Sequence, residues 1–249
     1  MRAAAAALLL CASLLACAPR PTNPQDLADY NETNDRFEPL NRKLYAVNDT
    51  LDRYSLRPVA RFYGDTVPGS VRQPIHNALA NVSNPIQFGN DVLQGHPRRA
   101  GNTIMRFIIN STAGVLGFFD VAGALGYPDH DTDFGITLAL WGVPEGPFLF
   151  LPVLGPTNPR DAVGFGVNSA LDPFTWVGFP GSNALGYTRL GTGAVDARQR
   201  VLSETDSITA TALDPYATFR SLYRQHREAA VDEQRKDDAP TVPAWYPRR

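Results

Sequence analysis

The side chains able to do chemistry are few and scattered. The four histidines, His76, His96, His130 and His226, stand far apart, and no HExxH pair sets two of them on one helical turn for zinc. Gly181-Ser182-Asn183 lacks the GxSxG spacing that lifts a serine nucleophile out of a sharp turn. Gly164-Phe165-Gly166 and Gly191-Thr192-Gly193 are isolated GxG pairs, the pattern of turns and close packing rather than of a phosphate loop, and no Walker loop occurs. Asp129-His130-Asp131-Thr132-Asp133 imitates the first half of a calcium loop. Phe134 then stands at the sixth position, which needs glycine, and Leu140 at the twelfth, which needs glutamate. A solvated acidic turn fits this run better. The residues predict no catalytic centre, no metal site and no cofactor.

One cysteine has a definite chemistry. Met1-Arg2 is a short positive start, Ala3 to Ala16 is apolar but too short to span a bilayer, and Leu14-Leu15-Ala16-Cys17 has the form of a lipoprotein box. Residues 1–16 are therefore expected to leave as a signal peptide, with Cys17 acylated. Cys11 would leave with the leader, so no disulfide is expected. Ala18 rather than Asp after the cysteine favours the outer membrane. Two or more acyl chains give a stable anchor.

The elements around these residues come next. Among the 249 residues, Lys and Arg number 23 against 25 Asp and Glu, a net charge of −2 without a basic patch, which argues against nucleic acid. Residues 17–33 are Pro-rich and polar and read as a flexible tether carrying the acylated cysteine. The body, residues 34–230, begins at the capping pair Asn34-Asp35. Leu40, Leu44, Val47 and Leu51 form one helical stripe over Glu38 to Leu51. Helical spacing continues through Leu56, Val59, Ala60 and Tyr63, and a further helix begins near Ser70. Asn84-Pro85 signals a new start and Gly95 a left-handed stop; His96-Pro97 opens the next helix, to about Ser111. Asp120 and Asp172 read as caps, Tyr187 to Leu202 as one helix, and Asp214-Pro215 as the start of the last. Residues 231–249 are expected to be a disordered tail.

Two long apolar stretches, Ile104 to Gly126 and Phe134 to Thr157, are broken by glycines and prolines, so neither can be one straight helix. Irregular backbone survives at membrane depth only where protein or a wet cavity satisfies it. Amphipathic helices lying in one leaflet with non-helical connections would account for both stretches; a soluble helical core is the other reading. The fold class is mainly α, a single membrane-associated domain.

The motif order resembles the MlaA (VacJ) family of outer-membrane lipoproteins. Its carriers are Asn41-Arg42, Leu51-Asp52-Arg53-Tyr54, Arg57-Pro58-Val59-Ala60, Leu93-Gln94-Gly95, Asn110-Ser111-Thr112, Gly117-Phe118-Phe119-Asp120, Asp133-Phe134-Gly135, Trp141-Gly142-Val143, Leu151-Pro152, Gly155-Pro156, Arg160-Asp161 and Asp214-Pro215-Tyr216, in unbroken order over about residues 34–227. Arg36, Ile136 and Pro144 depart from the family pattern. The resemblance implies a ring of helices in the inner leaflet of the outer membrane of a Gram-negative bacterium, on its periplasmic face. Misplaced glycerophospholipids would pass through a polar channel in that ring to a periplasmic carrier, beside a trimeric porin. Passage would be passive, since no nucleotide site is present. An envelope-tethering lipoprotein and a periplasmic lipid hydrolase are the alternatives, the second needing a nucleophile or metal not found in the sequence.

The resemblance also implies a mobile hairpin beside the channel, at Gly142, Pro144, Glu145 and Gly146. The residues agree in one respect. An unpaired buried carboxylate would cost several kcal/mol, so Glu145, the lone charge between two apolar arms, must reach water or a polar lumen. Gly142 and Gly146 would be hinges, with Pro144 fixing one φ between them; a rigid structural turn is the plainer reading.

Overall fold

Several helices start on one recipe, a short polar side chain followed by proline. In the computed structural model, which describes residues 21–176, 181–237, 241 and 243, Asn23 accepts from the Gln25 amide ahead of Pro24, Asn158 from Asp161 ahead of Pro159, and Asp214 from Ala217 ahead of Pro215. The cap satisfies one orphan amide and the proline removes another. The helices are α1 (Pro24–Thr33), α2 (Glu38–Leu51), α3 (Arg57–Thr66), α4 (Gly69–Leu93), α5 (Pro97–Thr112), α6 (Val121–Ala124), α7 (Phe134–Leu140), α8 (Pro159–Leu171), α9 (Pro173–Trp176), α10 (Ser182–Arg200), α11 (Leu202–Thr211) and α12 (Pro215–Lys236). A π-helical segment, Asp52–Leu56, joins α2 to α3. Between α7 and α8 lies a small antiparallel hairpin, β1 (Leu149–Leu151) and β2 (Gly155–Thr157), with Leu149 opposite Thr157 and Leu151 opposite Gly155.

The packing closes on itself. α2 lies on β1, β2 on α12, α12 on α7, α7 on α4, α4 on α10 and α10 on α3, which runs back into α2 through the π segment. This circuit is the ring of a single, mainly α domain. Two glycines let α7 and α8 pack closely: a Cβ on Gly164 of α8 would fall 2.3 Å from the backbone nitrogen of Gly135 in α7. The isolated Gly164-Phe165-Gly166 pair is thus close packing.

The ring is polar inside and apolar outside. α2 exposes Leu40, Val47 and Leu51 of its stripe and buries Asn41. α4 buries Asn81, Asn84, Asn90 and Asp91; α5 buries Arg99, Asn102, Arg106 and Asn110 while exposing Met105 and Ile108. Among the described residues most buried apolar side chains fall in two small clusters, Ile136 with Ala139 and Val231, and Phe148 with Phe150 and Tyr216; Ala60, Ala100 and Ala122 are buried apart from them. In water each exposed Å² of apolar surface forfeits about 25 cal/mol of burial, and apolar surface on this scale marks contact with another apolar phase. No helix among the described residues is long and apolar enough to cross a membrane. The body is membrane-associated through its outer faces, and the soluble-core reading of the apolar stripes does not hold.

Other expectations are corrected. The stretch read as a flexible tether contains helix α1, started by the Asn23 cap. Asn34-Asp35 does not cap α2: Asn34 ends α1 in the left-handed region, and Asp35 is buried. No helix starts at Asn84-Pro85, since α4 runs through both Pro74 and Pro85, held along its length against α5. Gly95 does stop it, at φ +77°, with His96 N donating to Asp91 O at 2.9 Å. Tyr187 to Leu202 lies not in one helix but in α10 and the start of α11. The last helix continues to Lys236 rather than dissolving at residue 231, because Val231 packs on Ile136 and Ala139 and Gln234 Nε2 donates to Asp131 O at 3.1 Å. Pro243 is buried as well. Cys17 and the leader lie outside the described residues, as do most of residues 238–249.

Candidate functional site

One face of α12 carries the charge that organises the interior. Spaced along it, Tyr216, Arg220, Tyr223, Arg224 and Arg227 each reach a carboxylate on another element. Tyr216 Oη donates to Asp35, and Arg220 Nη1 lies 2.8 Å from the same carboxylate, which Asn41 also bonds at 2.8 Å. Tyr223 Oη donates to Asp161 at 2.5 Å. Arg227 bridges α7 and α8, donating to Asp133 at 2.6 Å and to Asp161 at 2.8 Å. Beside the cap of α12, Arg42 pairs with Asp214 at 2.6 Å and with Glu38 at 2.8 Å.

These contacts fix charge states at neutral pH. Burial acts to raise the Asp161 carboxyl, but hydrogen bonds from Arg227 and Tyr223 outweigh it and hold it below the usual carboxylate range. Burial opposes the charge of Arg227, yet its bonds to Asp133 and Asp161 hold the guanidinium above its ordinary value. Burial, then the carboxylate partners Asp35 and Asp161, push the Tyr216 and Tyr223 hydroxyls well up, so both stay neutral donors.

Two asparagines missing from the sequence reading as site residues connect this face to the hairpin. Asn41 Nδ2 donates to Phe148 O at 3.1 Å and its Oδ1 accepts from Phe150 N at 2.9 Å; one turn pair further on, Asn48 does the same for Leu151 O and Val153 N, both at 2.8 Å. Each amide completes the open edge of β1. The signal was present: Asn41 and Asn48 are seven apart, on one helical face.

Arg220, Arg224 and Arg227 of that α12 face also border an open cavity of about 780 Å³, lined among others by Glu32, Glu145 and Arg160. Of the expected loop residues, Glu145 lines it. Asn34 Nδ2 donates to Glu145 Oε1 at 3.2 Å and to Gly146 O at 2.7 Å, and Arg224 lies 3.4 Å from the same Oε1. Glu145 therefore borders a polar space, as its charge required. Gly142 and Pro144 are on the outer surface. Gly142 sits at φ +87° just past α7, with Val143 N bonded to Leu138 O at 2.9 Å, the geometry of a helix stop.

The acidic run Asp129 to Asp133 is engaged rather than merely solvated. Asp129 lies 3.3 Å from Arg106, Asp131 takes a bond from Gln87, and Asp133 caps α7 and holds Arg227. His130 Nε2 meets buried Asp91 at 2.9 Å, and Thr103 Oγ1 donates to the other oxygen of Asp91 at 2.6 Å. This trio is no hydrolytic triad. The carboxylate stands between the hydroxyl and the imidazole, so the histidine cannot take the hydroxyl proton. Asp120 is a cap, as expected, while the Asp172 carboxylate is paired with Arg189.

An apolar-surfaced ring around a densely ion-paired interior, open to a charged cavity, defines a membrane-associated helical body. The chain belongs to the MlaA lipoprotein family, whose model matches residues 33–230. It is 35% identical over 236 residues to the Haemophilus influenzae protein named "Intermembrane phospholipid transport system lipoprotein MlaA", covering 91% of this chain and 89% of that one. The protein of the same name from Escherichia coli strain K12 is 32% identical over 219 residues, with 86% and 83% covered. A solved structure described as "Structural basis for maintenance of bacterial outer membrane lipid asymmetry" matches with a TM-score of 0.69 at 28% identity, over 79% of this chain and 98% of that one.

Proposed function

We propose that this protein is the outer-membrane lipoprotein of an intermembrane phospholipid-transport system and that it maintains outer-membrane lipid asymmetry. Acylated at Cys17 on the periplasmic face, it takes misplaced glycerophospholipids from the outer leaflet through its polar interior and hands them to a periplasmic carrier. It works beside a trimeric porin and catalyses no covalent step. The observation that carries this reading is the inverted burial: a ring with Leu40, Val47, Leu51, Met105 and Ile108 outside and Asn81, Asn90, Arg99 and Arg106 inside. Such a body can sit in hydrocarbon and still offer a polar path for headgroups. The names of the relatives support the transport step.

The test is a strain lacking the protein, together with the lipids that copurify with it. The expected results are surface-exposed phospholipid and detergent sensitivity in the strain, restored by the wild-type chain, and intact phospholipid on the purified protein. Lysolipid and released fatty acid would instead indicate a hydrolase, and a lipid-free protein with an unaltered barrier in the strain would indicate a tether.

A further inference from the structure

Behind the aromatic wall formed by Tyr45, Phe150, Tyr216 and Phe219 lies a second space, a groove of about 510 Å³ between α2, the π segment, the hairpin tip and α11–α12. We propose that this groove is a binding site for a single hydrocarbon chain of a bilayer lipid. The proposal rests on the lipid-transport reading above and assigns the acyl part of the ligand to a place of its own.

The chemistry of the walls selects the ligand. Tyr45, Leu51, Leu56, Phe150, Val153 and Phe219 supply apolar surface. Most of the polar side chains that also line the groove are already hydrogen-bonded within the protein. Asn48 bonds Leu151 O and Val153 N; Ser55 Oγ donates to Leu51 O; Thr209 Oγ1 donates to Thr205 O at 2.8 Å. Thr205 donates to Val201 O and accepts from Arg198 Nη1, both at 2.7 Å. Asp52 is gripped by two Arg198 nitrogens at 2.8 Å, and Asp49 is held by Arg53 at 2.7 Å. A headgroup entering here would lose its water and gain few partners, whereas an alkyl chain asks for none. The cavity beside α12 is the opposite, lined by charged side chains. The groove's size is that of a small-molecule site.

The mouth says where the chain comes from. Val153, at the hairpin tip, is 86% exposed and sits at φ +69°, a conformation costly for a β-branched residue. Val153 and Leu51 belong both to the groove lining and to the exposed apolar surface that Val47, Tyr54 and Leu154 continue. The groove thus opens onto the face of the ring that meets hydrocarbon. The π segment, a form of helix that recurs at functional sites, brings Ser55 and Leu56 to its wall.

The test uses the full-length protein in cells of the bacterium, with a small diazirine side chain introduced at Thr209 in the groove or at Tyr54 on the outer surface. After irradiation, mass spectrometry identifies what each position has captured. The expected result is a phospholipid joined through its acyl chain at both positions, with the adduct at 209 lost and that at 54 retained when Leu56→Trp fills the groove. Ser55→Phe, a second filler, should act in the same way and guards against a misfolded first variant. The proposal is overturned if position 209 captures protein, water or a headgroup instead, or if its acyl adduct survives both fillers. The transport reading depends on the barrier of the strain lacking the protein, so its failure would be seen separately.

Discussion

Arg227 grips Asp161 with a two-pronged fork, Nε to Oδ2 and Nη2 to Oδ1, each at 2.8 Å. The pair joins α12 to the first turn of α8, and both side chains are largely out of solvent. Removing one partner from such a pair strands the other charge and costs about 3–5 kcal/mol. Arg227→Met is expected to lower the stability of the detergent-solubilised protein on that scale, measured by denaturant unfolding. Arg227→Lys keeps the charge but not the planar fork, so its loss should be smaller but real. A Met variant as stable as wild type would mean that desolvation and attraction cancel at this site.

The same network predicts how stability follows pH. A carboxylate held below its unfolded value of about 3.9 contributes stability that is present above that pH and is lost as pH falls through the lower, folded value. Asp161 is such a group. Stability should therefore fall on acidification below about pH 4, with a shallower slope in Asp161→Asn. Tyr223, pushed up, behaves in the other direction. Its contribution is full below the unfolded value of about 10 and is lost as pH rises beyond it, and Tyr223→Phe should make the alkaline limb shallower, with Tyr216 still contributing to it. Unfolding midpoints measured across the two windows test both signs.

The sequence carried much of this architecture, for reasons that can be named. Helix starts at Pro97 and Pro215 were legible because proline at the first helical position leaves a local mark. The ends of α2 were legible from spacing alone. The facing of the helices was not. A stripe such as Leu40, Val47 and Leu51 has the same period whether it meets a core or a membrane, so the pattern shows that a face exists but not what covers it. Pro85 misled because a cap signal is local, whereas the packing of α4 along α5 is not. The ion pairs of α12 were illegible for the same reason: Arg227 and Asp133 are 94 residues apart. Glu145 was the exception, since the cost of burying its charge demanded a polar neighbour, and Arg224 and the cavity are there.

The anchor is tested by chemistry rather than by location, because the apolar outer faces could hold the body at the membrane without it. Cys17→Ser should leave the protein unprocessed and without label when cells are fed radioactive palmitate. Incorporation equal to that of the wild-type chain would remove the lipoprotein box from the argument.

The loop after α7 offers the sharpest test of mobility against scaffold. Gly142 at φ +87° and Gly146 at φ +73° both occupy backbone that favours glycine. Proline at 142, locked near −65°, would break the stop of α7 whatever the loop does, so Gly142→Pro cannot separate a hinge from a structural turn. Gly146 is constrained further, since a Cβ there would come 3.1 Å from the Pro159 ring. Pro144 is the informative position. It is exposed, lies between the two glycines, and restricts one φ of the segment that carries Glu145 to Asn34 and Arg224. Pro144→Gly frees that angle and increases the entropy of the unfolded chain, at a stability cost of about 1 kcal/mol or less. If loop mobility sets lipid passage, this variant should change outer-leaflet phospholipid and detergent resistance while protein level stays near wild type. Glu145→Gln, which weakens the tie to Arg224, should move the same readouts in the same direction. Two abundant variants with an unchanged barrier would leave the loop as a fixed turn that only completes the wall of the cavity.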